Sequence, residues 1–230
     1  MRIAFIDPTK GFDYVVETPR VKPLGGSQSA LCYLAEELSK RGHAVALYNL
    51  TKTPGESRGV KCFNMTQTPL SEYSQYDVVV ILNFGNPEVA RLIRSAVETR
   101  TRILLWTQHN PDQPDVRHIA DVGAHSAWDG FIMVSKWQAE FYRQAFGVHP
   151  ARMKIIGNAI GPVFENLFVT PDAIAAQKPW PPVLCYTSAP YRGLDVLVEA
   201  FPRIRAAIPG ATLKVYSSMG AYAFVESQDD

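Results

Sequence analysis

Gly25-Gly26-Ser27-Gln28 stands directly before a run of helical periodicity. Paired glycines let a backbone approach a ligand closely, and the free N–H groups of a helix start favour an anion. The context suits a phosphate. It is neither a GxGxxG fingerprint nor a P-loop, since no Gly-Lys-Ser/Thr follows. A plain turn capped by Ser27 is the structural alternative. Gln108-His109-Asn110 follows the apolar run Ile103–Trp106. Polar side chains at the carboxyl end of a strand sit where an α/β sheet places its cleft. His109 could there donate to a hydroxyl or titrate near neutral pH; a loop histidine with satisfied bonds is the alternative. Ser188-Ala189-Pro190-Tyr191-Arg192-Gly193-Leu194 also joins an apolar run to a helix. An arginine beside a helix N-terminus suits a pyrophosphate, with a solvated loop arginine as its ordinary counterpart. Gly157-Asn158-Ala159 reads first as a turn.

The other titratable groups carry less. His43 follows a helix end and caps it. His118 and His125 lie seven apart in one helical stretch, without the i, i+4 spacing of a metalloprotease pair. Asp112 and Asp115 are close to His109 in sequence, but the spacing does not argue for a metal. Cys32, Cys62 and Cys185 are far apart with no CxxC, so neither a disulfide framework nor a zinc knuckle is supported. A reducing compartment follows. No Gly-x-Ser-x-Gly elbow is present, which leaves a nucleophilic hydrolase without support.

These residues need elements to position them. Ile3–Ile6, Val45–Tyr48, Asp77–Leu82, Ile103–Trp106, Phe131–Val134 and Lys154–Ile156 read as strands. Between them run helices: one with Ala30, Leu31, Leu34, Ala35 and Leu38 inward, closed near Gly42, and one opened by Asn86-Pro87 with Val89, Leu92, Ile93 and Ala96 inward. A third is opened by a Ser135/Gln138 capping box and closed at Gly147. Continuous apolar strands alternating with helices predict a doubly wound α/β domain with a parallel sheet over 1–160. A proline-punctuated linker spans 161–182, with a short helical turn at Pro171–Ala176. Then come strand Val183–Thr187, helix Leu194–Ala207, turn Pro209-Gly210 and strand Thr212–Tyr216. One such unit buries too little to stand alone, so residues 183–230 are expected to be the first part of an incomplete second α/β domain.

Of the 230 residues, 47% are hydrophobic and 20% charged, the balance of a globular chain. Basic and acidic side chains nearly cancel, 23 against 22, which argues against bulk nucleic-acid binding. Met1-Arg2 leads straight into the first strand rather than a signal peptide. The apolar runs are far below the roughly 20 residues of a membrane helix. A cytoplasmic chain is expected, with peripheral contact at the inner face of a membrane left open.

Together these pieces resemble the group 1 (family 4) glycosyltransferases of the GT-B fold. Four ordered stretches carry the resemblance: Pro23–Gln28; Trp106–His109; Val134–Gln138 with Ile155–Ile160; and Tyr191–Pro202. It spans nearly the whole chain. In that family two Rossmann-like domains face each other, the first mostly acceptor-binding and the second binding the nucleotide-sugar donor. The resemblance implies that the Gly25 and Gly26 amides approach the donor phosphate or sugar. It implies that His109 contacts the transferred sugar, and that Arg192 and Gly193 meet the donor pyrophosphate. Arg192 stands where family members usually carry a lysine. The family transfers with retention and no bound metal, positive side chains and helix starts taking the metal's part at the leaving diphosphate. Two departures stand out. The usual partner arginine falls at Thr187, and no Glu-x7-Glu pair occurs, since only Glu226 follows Glu199.

The sequence therefore predicts a retaining glycosyltransferase of polysaccharide biosynthesis. It would move a sugar from a nucleotide diphosphate sugar to a saccharide or lipid-linked acceptor, with no cofactor and no metal. His109 is the catalytic candidate. Gly25, Gly26, Arg192 and Gly193 are assigned to the donor, and Gln28, Gln108, Asn110 and Asn158 to the acceptor or cleft. The isolated chain is expected to turn over little or nothing. A non-catalytic saccharide- or partner-binding GT-B half and a nucleotide-sugar epimerase of the same architecture are the alternatives.

Overall fold

The computed structural model describes residues 1–217. It divides between Ala159 and Ile160 into two compact units. The first contains, in chain order, β1 (Arg2–Ile6), α1 (Thr18–Val21), α2 (Gly26–Lys40), β2 (Ala44–Asn49), β3 (Gly55–Ser57) and β4 (Val60–Asn64). It continues with β5 (Val78–Leu82), α3 (Pro87–Ala96), β6 (Arg102–Thr107), β7 (Gly130–Met133), α4 (Lys136–Phe146) and β8 (Met153–Ile155). These strands form one eight-stranded sheet in the order β3-β4-β2-β1-β5-β6-β7-β8. Every neighbouring pair is parallel except β3 with β4.

Alternation along the central strands sends side chains to two cores. Ile6, Ile81, Leu105 and Met133 pack with Ala90 and Ile93 of α3 and with Tyr142 and Phe146 of α4. Phe5, Leu47, Leu82 and Trp106 pack with Leu31, Cys32 and Ala35 of α2. Each fully buried side chain of this size contributes about 1.5–3 kcal/mol by leaving water. The fold is thus doubly wound α/β, and every parallel strand delivers its C-terminal residue to one edge of the sheet.

Several details correct the sequence reading. Leu92 is 52% exposed, and Ala90 takes its place in the core. Leu34 also faces outward, while the polar Gln28 and Glu36 are buried on the inner face of α2. Thr51–Ser71, for which the sequence marks no element, holds a β3–β4 hairpin turned at Arg58-Gly59, both with positive φ. His118 and His125 do not share a helical face. They fall in separate 3₁₀ turns, Pro114–Ala120 and Val122–Ala127, broken at Asp121. His43 does cap α2, through its backbone. Its N–H donates to Leu38 C=O while that of Gly42 donates to Ser39 C=O, a Schellman ending.

The second unit holds a 3₁₀ turn at Pro162–Phe164, α5 (Pro171–Gln177), β9 (Val183–Tyr186), α6 (Leu194–Ala207) and β10 (Thr212–Val215). β9 and β10 pair in parallel across the α6 crossover. Residues 218–230, Glu226 among them, lie outside the described residues.

Candidate functional site

The carboxyl edge of the large sheet begins with the start of α2. Gly25 is its N-cap and Gly26 its first residue, and no side chain caps it. Ser27 lies within the helix, so the capped-turn alternative does not hold. The two glycines serve different ends. A Cβ on Gly25 would stand 2.4 Å from Oε1 of Gln28, whereas one on Gly26 would meet nothing within 4 Å. Gly25 thus makes room for a neighbouring side chain, and Gly26 leaves space open above the helix start.

Gln28 does not face that space. It is buried, and its Nε2 donates to Oδ2 of Asp7 at 3.1 Å. Asp7, directly after β1, is itself fully buried. It accepts the Tyr14 hydroxyl at 2.6 Å and the Thr9 amide at 3.1 Å. Burial first, and then the Asp7 charge, push the Tyr14 phenol well above its ordinary value. Asn49, ending β2, donates to the Tyr14 carbonyl at 2.8 Å. Sequence reasoning passed over Asp7, Tyr14 and Asn49. The signal was a carboxylate one step past a fully apolar strand.

β6 lies two places from β1, about 10 Å at ordinary strand spacing. The chain beyond it is pinned from three directions. The His109 amide donates to Oγ1 of Thr107 at 3.1 Å. Its carbonyl accepts from Nε2 of Gln138 at 3.1 Å and from the Tyr142 hydroxyl at 2.9 Å. Gln138 makes only half of the expected capping box. Its backbone N–H donates to Oγ of Ser135 as a cap, but its Oε1 accepts the Val134 N–H, not that of Ser135. Its Nε2 also reaches the Thr107 carbonyl at 3.0 Å. A residue read as a cap is therefore a clamp on the His109 backbone. With that backbone fixed, the two side-chain torsions aim the imidazole. Its side chain is 25% exposed, and Nδ1 lies 3.6 Å from Oδ2 of Asp115.

Gln108 and Asn158 meet, Nδ2 of Asn158 donating to Oε1 of Gln108 at 2.8 Å. Asn110 donates to Asp112 at 2.9 Å. Asn83, ending β5 with positive φ, accepts the Gln108 amide at 2.7 Å. Nε2 of Gln108, Oδ1 of Asn110 and Oε1 of Gln113 are buried without a protein partner. Leaving such a group unpaired costs about 1–3 kcal/mol, so the segment after β6 holds both a donor and acceptors suited to a polar ligand. Among the described residues, no three His, Cys, Asp or Glu side chains gather as metal ligands. His125 is buried with Nε2 2.8 Å from the Ile119 carbonyl, a structural bond. Cys32 and Cys62 are buried free thiols and Cys185 an exposed one.

In the second unit Gly193 is the N-cap of α6 at φ +91°, a conformation only glycine adopts cheaply. No side chain caps that helix either. The Arg192 amide closes a turn onto Ala189 at 3.0 Å, and its guanidinium lies 5.9 Å from the Tyr191 ring centre. The structure thus gathers Gln108, His109, Asn110 and Asn158 near the end of β6 and keeps Gln28 in the core.

No family model matches the chain, and no curated protein matches it in sequence. Solved structures do match. A glycosyltransferase from Rickettsia africae ESF-5 aligns over 99% of this chain and 63% of its own, with a TM-score of 0.61 at 12% identity. WaaG, a glycosyltransferase involved in lipopolysaccharide biosynthesis, aligns over 98% and 66%, with a TM-score of 0.55 at 14% identity. The fold is GT-B-like. The wall teichoic acid polymerase TagF, soaked with CDPG, aligns over 96% and 57%, with a TM-score of 0.51 at 13% identity. The chain spans less than two thirds of the length of each of these structures. No helix among the described residues is long and apolar enough to cross a membrane.

Proposed function

We propose that this chain serves sugar transfer from a nucleotide diphosphate sugar to a saccharide or lipid-linked acceptor, with retention and without a metal, as in the family 4 glycosyltransferases. The observation that carries the reading is the His109 ring, held by a triply bonded backbone at the carboxyl edge of a GT-B-like sheet. In this reading negative charge grows on a departing diphosphate. Arg192 and the bare start of α6 offer it a guanidinium and amide N–H groups, and the Gly25 and Gly26 amides take a phosphate or the sugar. His109 hydrogen-bonds the sugar most strongly as the glycosidic bond stretches. The reading places the protein in the cytoplasm, with peripheral membrane contact where the acceptor is lipid-linked.

Calorimetric titration with UDP-, GDP- and ADP-sugars, beside a product assay, tests it. The isolated chain binds weakly and turns over little, because the described part of its second unit supplies one strand–helix–strand. In an active preparation, His109→Ala lowers turnover about a hundredfold with a smaller change in the donor Michaelis constant. Lost thermal stability with unaltered activity per folded molecule would make His109 structural and sink the assignment. Thr187, where the family carries a second phosphate cation, favours the binding-module alternative. Affinity with no product in any active context decides for that one.

A further inference from the structure

α2 and α4 open on the same spacing with opposite results. Each carries a glutamine three residues after its N-cap, Gln28 after Gly25 and Gln138 after Ser135. Gln138 turns to the Val134 N–H and to the Thr107 and His109 carbonyls, and Ser135 is left to cap. Gln28 turns to Asp7 instead. The Asp7 backbone is fixed by the sheet, its N–H donating to the Tyr48 carbonyl at 2.9 Å. Its carboxylate already takes the Tyr14 hydroxyl and the Thr9 amide. A carboxylate accepts and does not donate, so Gln28 must present its side-chain nitrogen there, at 3.1 Å. The carbonyl oxygen then falls beside Gly25, 2.4 Å from where a Cβ would stand. A free amide end would swing aside for one more carbon. This one is buried and held at its nitrogen. Backbone conformation gives glycine no advantage at residue 25, since φ −57° and ψ 147° are open to every residue. What bars a side chain from this N-cap is the Gln28 oxygen.

We propose that Asp7 and Gln28 are positioning residues whose hydrogen bond keeps the start of α2 uncapped. The helix ladder opens with the Ser29 N–H on the Gly25 carbonyl at 2.9 Å, so the amides of Gly26, Ser27 and Gln28 stand ahead of it. A serine, threonine, aspartate or asparagine at residue 25 would take one of those amides with its own oxygen. The buried carboxylate thus acts through Gln28 on the backbone groups that the proposed function turns toward phosphate or sugar. That use of the amides rests on the sugar-transfer reading; the exclusion of a cap does not.

A double-mutant cycle on the 230-residue chain tests this, with Gly25→Ser and Gln28→Ala made singly and together and read by urea unfolding. In the wild-type background Gly25→Ser lowers the unfolding midpoint, because its Cβ meets the held oxygen. In the Gln28→Ala background the same substitution raises the midpoint, because the serine can now cap. The cycle cancels what Gln28→Ala itself costs by leaving Asp7 one donor short. Gln28→Met, which keeps the length of the side chain, takes its place if that variant does not fold. A change of the same sign and size in both backgrounds overturns the proposal. Asp7→Ala releases the Gln28 amide, so the loss caused by Gly25→Ser shrinks in that background; an undiminished loss overturns the part given to Asp7. UDP-glucose, GDP-mannose and ADP-glucose are then titrated against Gln28→Ala with and without Gly25→Ser, followed by the Gly26 amide signal. Binding about tenfold weaker with the cap, the scale of one lost hydrogen bond, supports the use of these amides. Equal binding with and without the cap overturns that use. If the midpoint change reverses sign while none of the three sugar nucleotides binds even the wild type, the exclusion of the cap stands and the sugar-transfer reading fails.

Discussion

Two kinds of helix start occur among the four longest helices. α3 and α4 open on side chains: Oδ1 of Asn86 accepts the Glu88 amide, and Oγ of Ser135 accepts the Gln138 amide, both at 3.0 Å. α2 and α6 open on Gly25 and Gly193, with no side-chain cap. α3, α4 and α6 each follow a strand directly and α2 follows the short α1, so topology does not sort the capped starts from the uncapped ones. What differs is who receives the first amides. A side-chain cap contributes about 1 kcal/mol to stability, while glycine in its place gives up only a few tenths and supplies no side-chain acceptor; in α6 the Leu194 N–H turns instead to the Pro190 carbonyl at 3.2 Å. One residue at the cap decides whether a side chain takes up the first amides.

α2 tolerates a bare start because it is held along its body. Glu36, buried on its inner face, meets Arg20 at 2.6 Å, Lys40 at 2.9 Å and Arg58 at 2.7 Å. Burial alone would raise its carboxyl, but the Arg58 and Lys40 bonds and the Arg20 charge outweigh it and hold it at about 2. Its folded value is thus below its unfolded one. The stability it supplies is present above pH ~4.5 and is lost as pH falls toward 2. The largest expected effect follows: the difference amounts to about 3 kcal/mol, and Glu36→Gln abolishes it. Urea unfolding at several pH values measures this, and an unchanged acid limb in the variant would show that α2 is anchored some other way.

Next in size is Arg192→Ala, beside the other bare start. A charge-assisted contact with phosphate is worth about 1.5–3 kcal/mol, so donor affinity falls tenfold to a hundredfold in an active preparation while acceptor affinity holds. Intact donor affinity would reduce Arg192 to a loop arginine. Ser135→Ala tests the capped class. It costs about 1 kcal/mol in urea unfolding, with a small functional loss passed on through Gln138. Gly26→Ala is the sharpest contrast and the smallest in stability. Its new methyl meets open space, so the fold stays within about 1 kcal/mol of wild type or gains slightly. Sugar-nucleotide binding weakens nonetheless. A variant with unaltered binding would show that the open helix start takes no ligand.

The sequence disclosed the architecture wherever apolar runs were long. The central strands and the starts of α3 and α4 were legible because burial on both faces and capping residues each leave a local pattern. The β3–β4 hairpin was not. Its turn uses Arg58 at the first of two positive-φ positions, where asparagine or aspartate is the usual sign. Ion pairs from Arg58 to Glu36 and Glu17 accompany that unusual choice. In the site, His109 was readable from its place after a strand. The clamp around it was not, because Gln138 and Tyr142 lie about 30 residues away and their partners are backbone atoms that no sequence pattern marks. Gln28 was misplaced for a similar reason: its buried partner, Asp7, is 21 residues off.

The sheet ends at both sides on strands of three residues, Gly55–Ser57 and Met153–Ile155. A sheet margin is an invitation to pair with another chain, and its strength grows with the length of unpaired backbone. Three residues, one of them the exposed Lys154 on one side and the exposed Glu56 on the other, make a poor template. A sheet this broad, nearly all of it parallel and slow to assemble, thus carries its own guard against self-association during folding.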